Sequence, residues 1–185
     1  LEEFKQLDTL ALILDLRNNP GGSLESARQI ASQFLSQGLF MYEVDKAGAR
    51  SDQAIEAGRI ATEAFMFKAE EDGAREDLMV VLVNEFTGNA AEALAGSLQD
   101  AHRADILGIR TVGRGSDNVY RELSDGSAIY LPVSNWYTPS GRRITGSGIL
   151  PDIEVPIRDE DRALGLDTQR NVASEYLDNQ LPQFR

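Results

Sequence analysis

Residues 78–96 read LMVVLVNEFTGNAAEALAG, and this stretch decides the fold. The apolar run Leu78–Val83 has the length and composition of a buried strand. The turn NEFTGN follows it, and an alanine-rich helix begins after the turn. Asn89 is a good N-cap residue, and Glu92 stands three positions later, where its carboxylate can reach back to the helix start. Asn89 has no hydroxyl or thiol, so the helix start offers no ordinary nucleophile.

A second strand–turn–helix unit lies upstream of this stretch. The apolar run Thr9–Arg17 predicts a strand covered on both faces, and NNPGG at 18–22 breaks it. Apolar residues at helical spacing follow, with Ser23 as the cap and Gly38 as the end. Repeated units of this kind predict an α/β fold. Backbone N–H groups in the glycine turn can hold an anion, although the turn is neither a phosphate-binding loop nor a dinucleotide fingerprint.

The rest of the chain predicts further short elements. We expect strands at Leu39–Val44 and Ala104–Gly108, a hairpin around Asp125–Gly126, an extended segment at 143–156 and a helical tail within 156–185. The middle of residues 45–77 is rich in Ala and Glu and favours helix, but it carries no motif. The start, LEEFKQLDTL, is typical of the end of an amphipathic helix, so we expect further chain before it. Without repeats or low-complexity linkers, residues 1–185 are predicted to form one domain.

Composition restricts the possible ligands. The chain of 185 residues has a net charge of −12, which argues against nucleic acid or an anionic membrane as a partner. It has no cysteine and one histidine, His102, so we expect no metal and no cofactor. His102 stands at a predicted helix end, where a structural role is expected. No apolar run is long enough to span a bilayer, so membrane contact would require segments before residue 1.

The turn GRGSDN at 113–118 places Arg114 between two glycines. An arginine side chain presents a planar fork of donors that suits a carboxylate. The alternative interpretation is an exposed arginine in a surface turn.

Three segments in this order resemble the carboxyl-terminal processing (tail-specific) serine peptidases: ALILDLRNNPGG, VVLVNEFTGNAAEALAGSLQDAHRADILGIRTVGRGS and DGSAIYLPVSNWYTPSGRRITGSGILPDIEV. The resemblance extends from about Leu10 to Val155 and is poor between Asp45 and Asp77. It implies an α/β core of strand–strand–helix units, similar to the Clp-protease and crotonase type, with an additional small β-sheet. The family's substrate-gating PDZ domain would precede this region.

The resemblance also implies a site. The family uses a Ser–Lys dyad, with a Gln that orients the lysine and an oxyanion hole. Position by position, the serine falls on Asn89, the lysine on Arg114 and the glutamine on Asn118, whereas the oxyanion parts fall on Gly21, Gly22 and the amide of Ala90.

These replacements predict a peptidase-like domain that has lost peptide-bond hydrolysis. A carboxamide is a poor nucleophile, and an arginine, with a pKa above about 12, cannot take up the proton. We expect the Arg114 guanidinium to be hydrogen-bonded by the carboxamides of Asn89 and Asn118. Together with the NPGG amides they would form a pocket for a peptide carbonyl or a terminal carboxylate. The predicted partner is a polypeptide or a peptide C-terminus.

Two alternatives remain open at the level of sequence. One is an active serine peptidase with a displaced nucleophile, for which the candidates are Thr87, Ser116, Ser127 and Ser140. The other is an assembly or regulatory module that pairs with active homologues, or forms a homo-oligomer, through a sheet edge or the terminal helix. The resemblance further implies a bacterial extracytoplasmic location, in the periplasm or cell envelope.

Overall fold

The computed structural model describes residues 11–55 and 78–181. The predicted N-terminal helix end and the helix-prone middle of residues 45–77 lie outside this description. The elements in chain order are β1 (Ala11–Asp15), α1 (Leu24–Ala31), β2 (Gly38–Asp45), β3 (Arg50–Ile55), β4 (Leu78–Val83), α2 (Ala90–Asp100), β5 (Asp105–Gly108), β6 (Asn118–Glu122), β7 (Ala128–Pro132), β8 (Ser134–Tyr137), β9 (Ile153–Glu154), α3 (Asp159–Ala163) and α4 (Thr168–Gln180).

A four-stranded parallel sheet in the order β1-β4-β5-β9 forms the centre of the fold. Strand β4 is buried along almost its whole length, because its alternate side chains pack on opposite faces. Val81 and Val83 face a core shared with α1 and α2, whereas Val80 and Leu82 face a second core beneath α4. Each fully buried side chain of this size contributes about 1.5–3 kcal/mol. The predicted α/β class is confirmed.

The predicted additional small sheet is present, and it is accompanied by a separate hairpin. Strands β3, β2 and β8 form an antiparallel sheet, through which Phe40, Met41 and Trp136 join the first core. Strands β6 and β7 pair only with each other among the described residues, around the predicted turn at Asp125–Gly126. The chain after this hairpin leaves it and pairs with β2 as β8.

One sequence-based boundary is wrong, one strand is less buried than predicted, and one strand was missed. Helix α1 ends at Ala31 rather than at Gly38, because hydrogen bonds from Gln33 N to Ile30 O and from Phe34 N to Ala31 O tighten the chain into turns. Strand β1 contributes to both cores as predicted, but it lies at the edge of the sheet formed by the described residues and is only half-buried. The polar strand β3 was not predicted, since its pairing with β2, rather than its own composition, makes it a strand.

The helical tail is confirmed as α3 and α4, and α4 is tied to the end of β1. The guanidinium of Arg17 donates to both carboxylate oxygens of Asp167, at 2.7 and 2.8 Å. It also donates to Asp15 Oδ2 at 2.7 Å. The hydrogen bonds from Arg17 hold the pKa of Asp167, the N-cap residue of α4, at about 2. This network joins the first strand–turn–helix unit to the C-terminal helix.

Candidate functional site

The turn between β4 and α2 is fixed by its own polar side chains. The Thr87 hydroxyl is fully buried and donates to Leu16 O at 2.8 Å, while it accepts from Asn84 N at 3.0 Å. Thr87 N in turn donates to Asn84 O at 2.9 Å. These hydrogen bonds satisfy the buried polar groups named here and hold the turn that precedes Asn89.

The NNPGG turn packs directly against this first turn. The Asn84 side chain accepts from Asn18 N at 2.9 Å and donates to Asn18 Oδ1 at 2.9 Å. Gly88 N donates to Asn19 O at 2.9 Å. A Cβ atom on Gly88 would lie 2.9 Å from Val112 Cγ1 and 3.3 Å from Pro20 O, so only glycine fits between the two neighbouring turns. The two strand–turn–helix units therefore meet at their turns.

Asn89 has a backbone conformation that non-glycine residues rarely adopt. Its φ is 52° and its ψ is −124°, outside the common regions for L-residues. A conformation of this kind costs on the order of 1–3 kcal/mol and persists only where the surroundings enforce it. Here Asn89 N donates to Glu92 Oε2 at 2.9 Å, so the predicted reach of Glu92 back to the helix start is confirmed. The strained residue and the sharp turn together are the geometry of a nucleophile elbow, occupied by a carboxamide.

Gly21 lies against the elbow at very short range. A Cβ atom on Gly21 would stand 2.6 Å from Asn89 Cβ, 2.8 Å from Gly88 O and 3.0 Å from Ala90 N, and its φ of +105° also favours glycine. The Gly21 N–H itself donates to Asn19 Oδ1 at 2.9 Å, so it is not available to a ligand. Gly21 instead allows the two turns to approach each other, because it has no Cβ atom. Among the described residues the N–H groups of Gly22 and Ala90 donate no hydrogen bond. These two amides are the donors that remain for a bound oxygen atom.

A single carboxylate holds the Arg114 turn against the elbow. Glu92 is fully buried, and its Oε2 accepts from Asn89 N at 2.9 Å and from Arg114 N at 2.8 Å. Its Oε1 accepts from Gly113 N at 2.6 Å and from the Thr111 hydroxyl. Hydrogen bonds to a charged acceptor are about twice as strong as neutral ones. Glu92 thus fixes the main chain of Arg114 relative to that of Asn89.

The structure brings Asn89 and Arg114 together, but not in the predicted manner. Asn89 Nδ2 donates to the main-chain oxygen of Arg114 at 3.2 Å, and Asn118 Nδ2 donates to Ser116 O at 3.2 Å. The expectation that both carboxamides hydrogen-bond the guanidinium is therefore wrong. The Arg114 side chain is exposed and makes no hydrogen bond or ion pair with any described residue. Its main chain is held by Glu92, so the guanidinium remains available to a ligand.

The role of Glu92 in holding the Arg114 turn was missed at the level of sequence. Capping explained the residue locally, and the partners at 111–114 lie about twenty positions away. The available signal was a charged residue inside a helix whose other residues are mostly small or apolar. In the structure, residues Ala90–Leu98 of this helix are all buried. A buried carboxylate requires several donors, and only other turns can supply them.

Two of the four displaced-nucleophile candidates, Thr87 and Ser127, have hydroxyls that already donate hydrogen bonds. Thr87 is buried and its hydroxyl is engaged. The Ser127 hydroxyl donates to Asp125 at 2.6 Å in the exposed hairpin turn, and this hydrogen bond holds the pKa of Asp125 below its usual range, which makes Asp125 a weaker base. The Ser140 hydroxyl lies 3.3 Å from Thr138 Oγ1. Ser116 is half-buried in the Arg114 turn.

The described residues contain one lysine and one histidine, the side chains that serine peptidases commonly use as proton acceptors. The only lysine in the described part of the chain is Lys46, which lies in the turn between β2 and β3. His102 follows the C-terminus of α2, and a helix of eleven residues separates it from the elbow by about 16 Å. Within residues 11–55 and 78–181 no cluster of three or more His, Cys, Asp or Glu side chains could hold a metal ion. No helix in the same residues is long and apolar enough to cross a bilayer.

Comparisons with known proteins agree with the resemblance. Residues 1–155 match the sequence model of a protein family described as Peptidase family S41. The chain is 36% identical over 159 residues to a carboxyl-terminal-processing protease of Synechocystis sp., which covers 85% of this chain and 34% of that protein. It is 36% identical over 155 residues to carboxyl-terminal-processing peptidase 3, chloroplastic, of Arabidopsis thaliana, covering 83% of this chain and 27% of that protein.

A solved structure shares the fold. The photosystem II D1 C-terminal processing protease superposes with a TM-score of 0.69 at 30% identity, over 83% of this chain and 36% of that one. The chain thus spans about a third of the length of the relatives that it matches.

Proposed function

This chain belongs to Peptidase family S41, and on that basis we propose that it is a peptidase-like domain that does not hydrolyse peptide bonds and that binds a peptide carbonyl or terminal carboxylate beside Asn89. One observation carries the proposal. The elbow keeps the strained geometry of a nucleophile position, with φ of 52°, while the residue that it presents has no hydroxyl to deprotonate. The neighbouring turn presents Arg114, which stays charged and cannot accept the proton.

In the described part of the chain, three donors are available to a ligand oxygen, namely the N–H groups of Gly22 and Ala90 and the Arg114 guanidinium. The N–H groups of Gly22 and Ala90 belong to turns in direct contact, and Ala90 begins helix α2, whose N-terminus favours negative charge. The buried Glu92 carboxylate opposes an anion here, and its own four donors together with the Arg114 guanidinium offset that charge. A carbonyl oxygen, or a carboxylate that also reaches Arg114, is therefore the ligand that the site favours.

Two apolar side chains stand exposed on the same turns. Phe86 precedes Thr87 in the elbow and is 60% exposed, and Val112 precedes the Arg114 turn and is 38% exposed. Exposed apolar residues beside a few convergent donors are typical of a peptide-binding site. A peptide with an apolar side chain near its carboxyl end fits this arrangement.

The absence of hydrolysis is tested with the purified chain, casein and a fluorophosphonate probe. An active carboxyl-terminal processing peptidase serves as the positive control. We expect neither cleavage nor covalent labelling above the level of a heat-denatured sample. Labelling that disappears when one of Thr87, Ser116, Ser127 or Ser140 is replaced by Ala would establish the displaced-nucleophile alternative instead.

Peptide binding is tested by titration calorimetry with one peptide in two forms, with a free and with an amidated C-terminus. We expect Arg114→Ala to weaken binding of the free-acid peptide about tenfold, because a charge-assisted hydrogen bond contributes about 1.5–3 kcal/mol when well formed. Arg110→Ala is the matched control, since Arg110 is also exposed in this part of the chain. Equal affinities in wild-type protein, Arg114→Ala and Arg110→Ala would refute the carboxylate site.

An extracytoplasmic location is a further part of this proposal. It is supported by the family, whose matching members here come from a cyanobacterium and from a chloroplast. Fractionation of the source cells, followed by immunoblotting of periplasmic and cytoplasmic samples, tests it. Recovery in the cytoplasmic sample alone would contradict it.

A further inference from the structure

Within the described residues, no further strand joins the β6–β7 hairpin. All ten residues of its two strands are exposed, and no other strand in the described part of the chain pairs with either of them. An isolated two-stranded hairpin is marginally stable at best in water, and it gains stability when a third strand or a packing face is added. The hairpin nevertheless has a well-formed turn, in which Leu123 N donates to Ser127 O at 2.7 Å and Ser127 binds Asp125.

The two faces of the hairpin are both rich in apolar side chains. On one face Tyr120 and Tyr130 are cross-strand partners, with ring centroids 6.4 Å apart in an edge-to-face arrangement and exposures of 60% and 70%. On the other face Val119 pairs with Leu131, and both remain more than a third exposed. Such a ribbon is a surface for association rather than a solvated loop.

Only one of the two edges is suited to accept a new strand. The outer edge of β7 ends in Pro132, which has no N–H to donate. Strand β6 reads NVYRE and contains neither proline nor glycine, so it offers an unbroken row of backbone donors and acceptors.

The sequence of β6 is complementary to itself when it is paired antiparallel about Tyr120. In this register Asn118 faces Glu122 of the second copy, Val119 faces Arg121, and Tyr120 faces Tyr120. No like charges stand opposite each other, and the Asn118 amide can donate to the Glu122 carboxylate. A twofold axis through Arg121 or Glu122 would instead place that residue opposite its own copy, so two like charges would face each other. An axis through Asn118 or Val119 would bring fewer residues of β6 into the pairing. The favoured register also places four tyrosines in one continuous row on a single face.

We propose that β6 pairs with β6 of a second copy of this chain, antiparallel about Tyr120, so that two hairpins form a four-stranded sheet and a twofold-symmetric dimer. The contact is isologous, as expected for homodimers. Because one five-residue edge and the side chains beside it form the contact, the dimer dissociates on dilution. The proposal does not depend on whether the Asn89 site binds a peptide.

Sedimentation velocity of the purified chain over about two decades of concentration tests the proposal, since mass action shifts a monomer–dimer equilibrium over that range. We expect wild-type protein to change from monomer to dimer as the concentration rises. Val119→Lys places a lysine opposite Arg121 of the second copy and is expected to weaken the dimer about tenfold. Val119→Lys combined with Arg121→Glu restores an opposite-charge pair across the contact and is expected to restore the dimer.

Arg121→Glu alone is the matched control, because Glu would face Val119 and the dimer is expected to change little. Far-UV circular dichroism and thermal unfolding of each variant check that the fold is kept. A wild-type chain that stays monomeric at every concentration would overturn the proposal, and so would a dimer that Val119→Lys leaves unchanged. Failure of the double variant to recover the dimer would overturn the register about Tyr120.

Discussion

Replacing Glu92 by Gln tests whether one buried carboxylate holds the candidate site together. Glu92 accepts hydrogen bonds from Asn89 N, Arg114 N, Gly113 N and the Thr111 hydroxyl. A glutamine has one acceptor oxygen, and its NH2 group must face two of these four donors. In the less costly orientation the NH2 group faces Thr111 and Gly113. The Thr111 hydroxyl already accepts from Ile149 N at 2.7 Å, so if it also accepts from the amide, its own buried proton loses its acceptor. The half-buried Gly113 N–H loses its acceptor as well.

The magnitude follows from this count. The buried Thr111 hydroxyl left without an acceptor costs about 1–3 kcal/mol, and weakening the remaining charge-assisted bonds adds about 1 kcal/mol, so we expect a loss of about 2–4 kcal/mol. The whole domain is expected to have a free energy of unfolding of only about 5–15 kcal/mol. The variant should therefore fold, with a clearly lower midpoint of urea-induced unfolding.

The assay is urea-induced unfolding, followed by the fluorescence of Trp136, the only tryptophan of the chain, which is 2% exposed. Glu160→Gln is the control, because Glu160 is exposed in the short helix α3 and is expected to change stability by less than about 0.5 kcal/mol. If Glu92→Gln differs from wild-type protein by no more than this control, at equal slopes of unfolding, Glu92 does not hold the two turns together and the reasoning fails.

The remaining predictions concern the chemistry of the elbow, its packing and its acid stability. The double variant Asn89→Ser/Arg114→Lys is expected to gain fluorophosphonate labelling. Asn89→Ser alone should label far more weakly, because it lacks a base that could take up the serine proton. Equal labelling of the two variants would contradict a role for position 114. Gly21→Ala is expected to destabilise the domain by more than about 2 kcal/mol in urea unfolding, because its Cβ would stand 2.6 Å from Asn89 Cβ. Gly48→Ala has a similar positive φ but meets nothing within 4 Å, so it isolates backbone strain, and equal losses in the two variants would exclude the packing argument. The pKa of Asp167 is lowered to about 2 in the folded protein, so its ion pair with Arg17 stabilises the fold above the pKa of the unfolded state, and this stability is lost as the pH falls toward 2. In thermal unfolding measured across this pH range, Asp167→Asn should remove about 1 kcal/mol of the acid-sensitive stability. A pH profile unchanged by the substitution would contradict this role of the ion pair.

The position of the site followed from local sequence signals. An apolar run, a turn rich in Asn, Thr and Gly, and a helix with Glu at its third position define the elbow at Asn89 without any knowledge of distant residues. The NNPGG turn was recognised in the same way, as a glycine-containing break between an apolar run and a helix. The pairing of these turns, however, was inferred only from the resemblance.

The hydrogen-bond partners within the site were decided by tertiary structure. From sequence, Gly21 was expected to offer an N–H and the Arg114 guanidinium to be bound by two carboxamides. In the fold the first N–H is occupied by Asn19, and Asn89 binds the Arg114 main chain instead. A donor has several acceptors within reach, and small differences in backbone position select among them.

The sequence by itself determined the α/β class, the two strand–turn–helix units and the residue types at the candidate site, because hydrophobic period, capping and turn chemistry act over fewer than about ten residues. Only the tertiary structure decided that Glu92 links two turns, that Arg17 reaches the N-cap of α4 across 150 positions and that, among the described residues, no third strand joins the β6–β7 hairpin. These features depend on contacts between segments distant in the chain. Such contacts form where the packed core brings the segments together, and no local pattern records them.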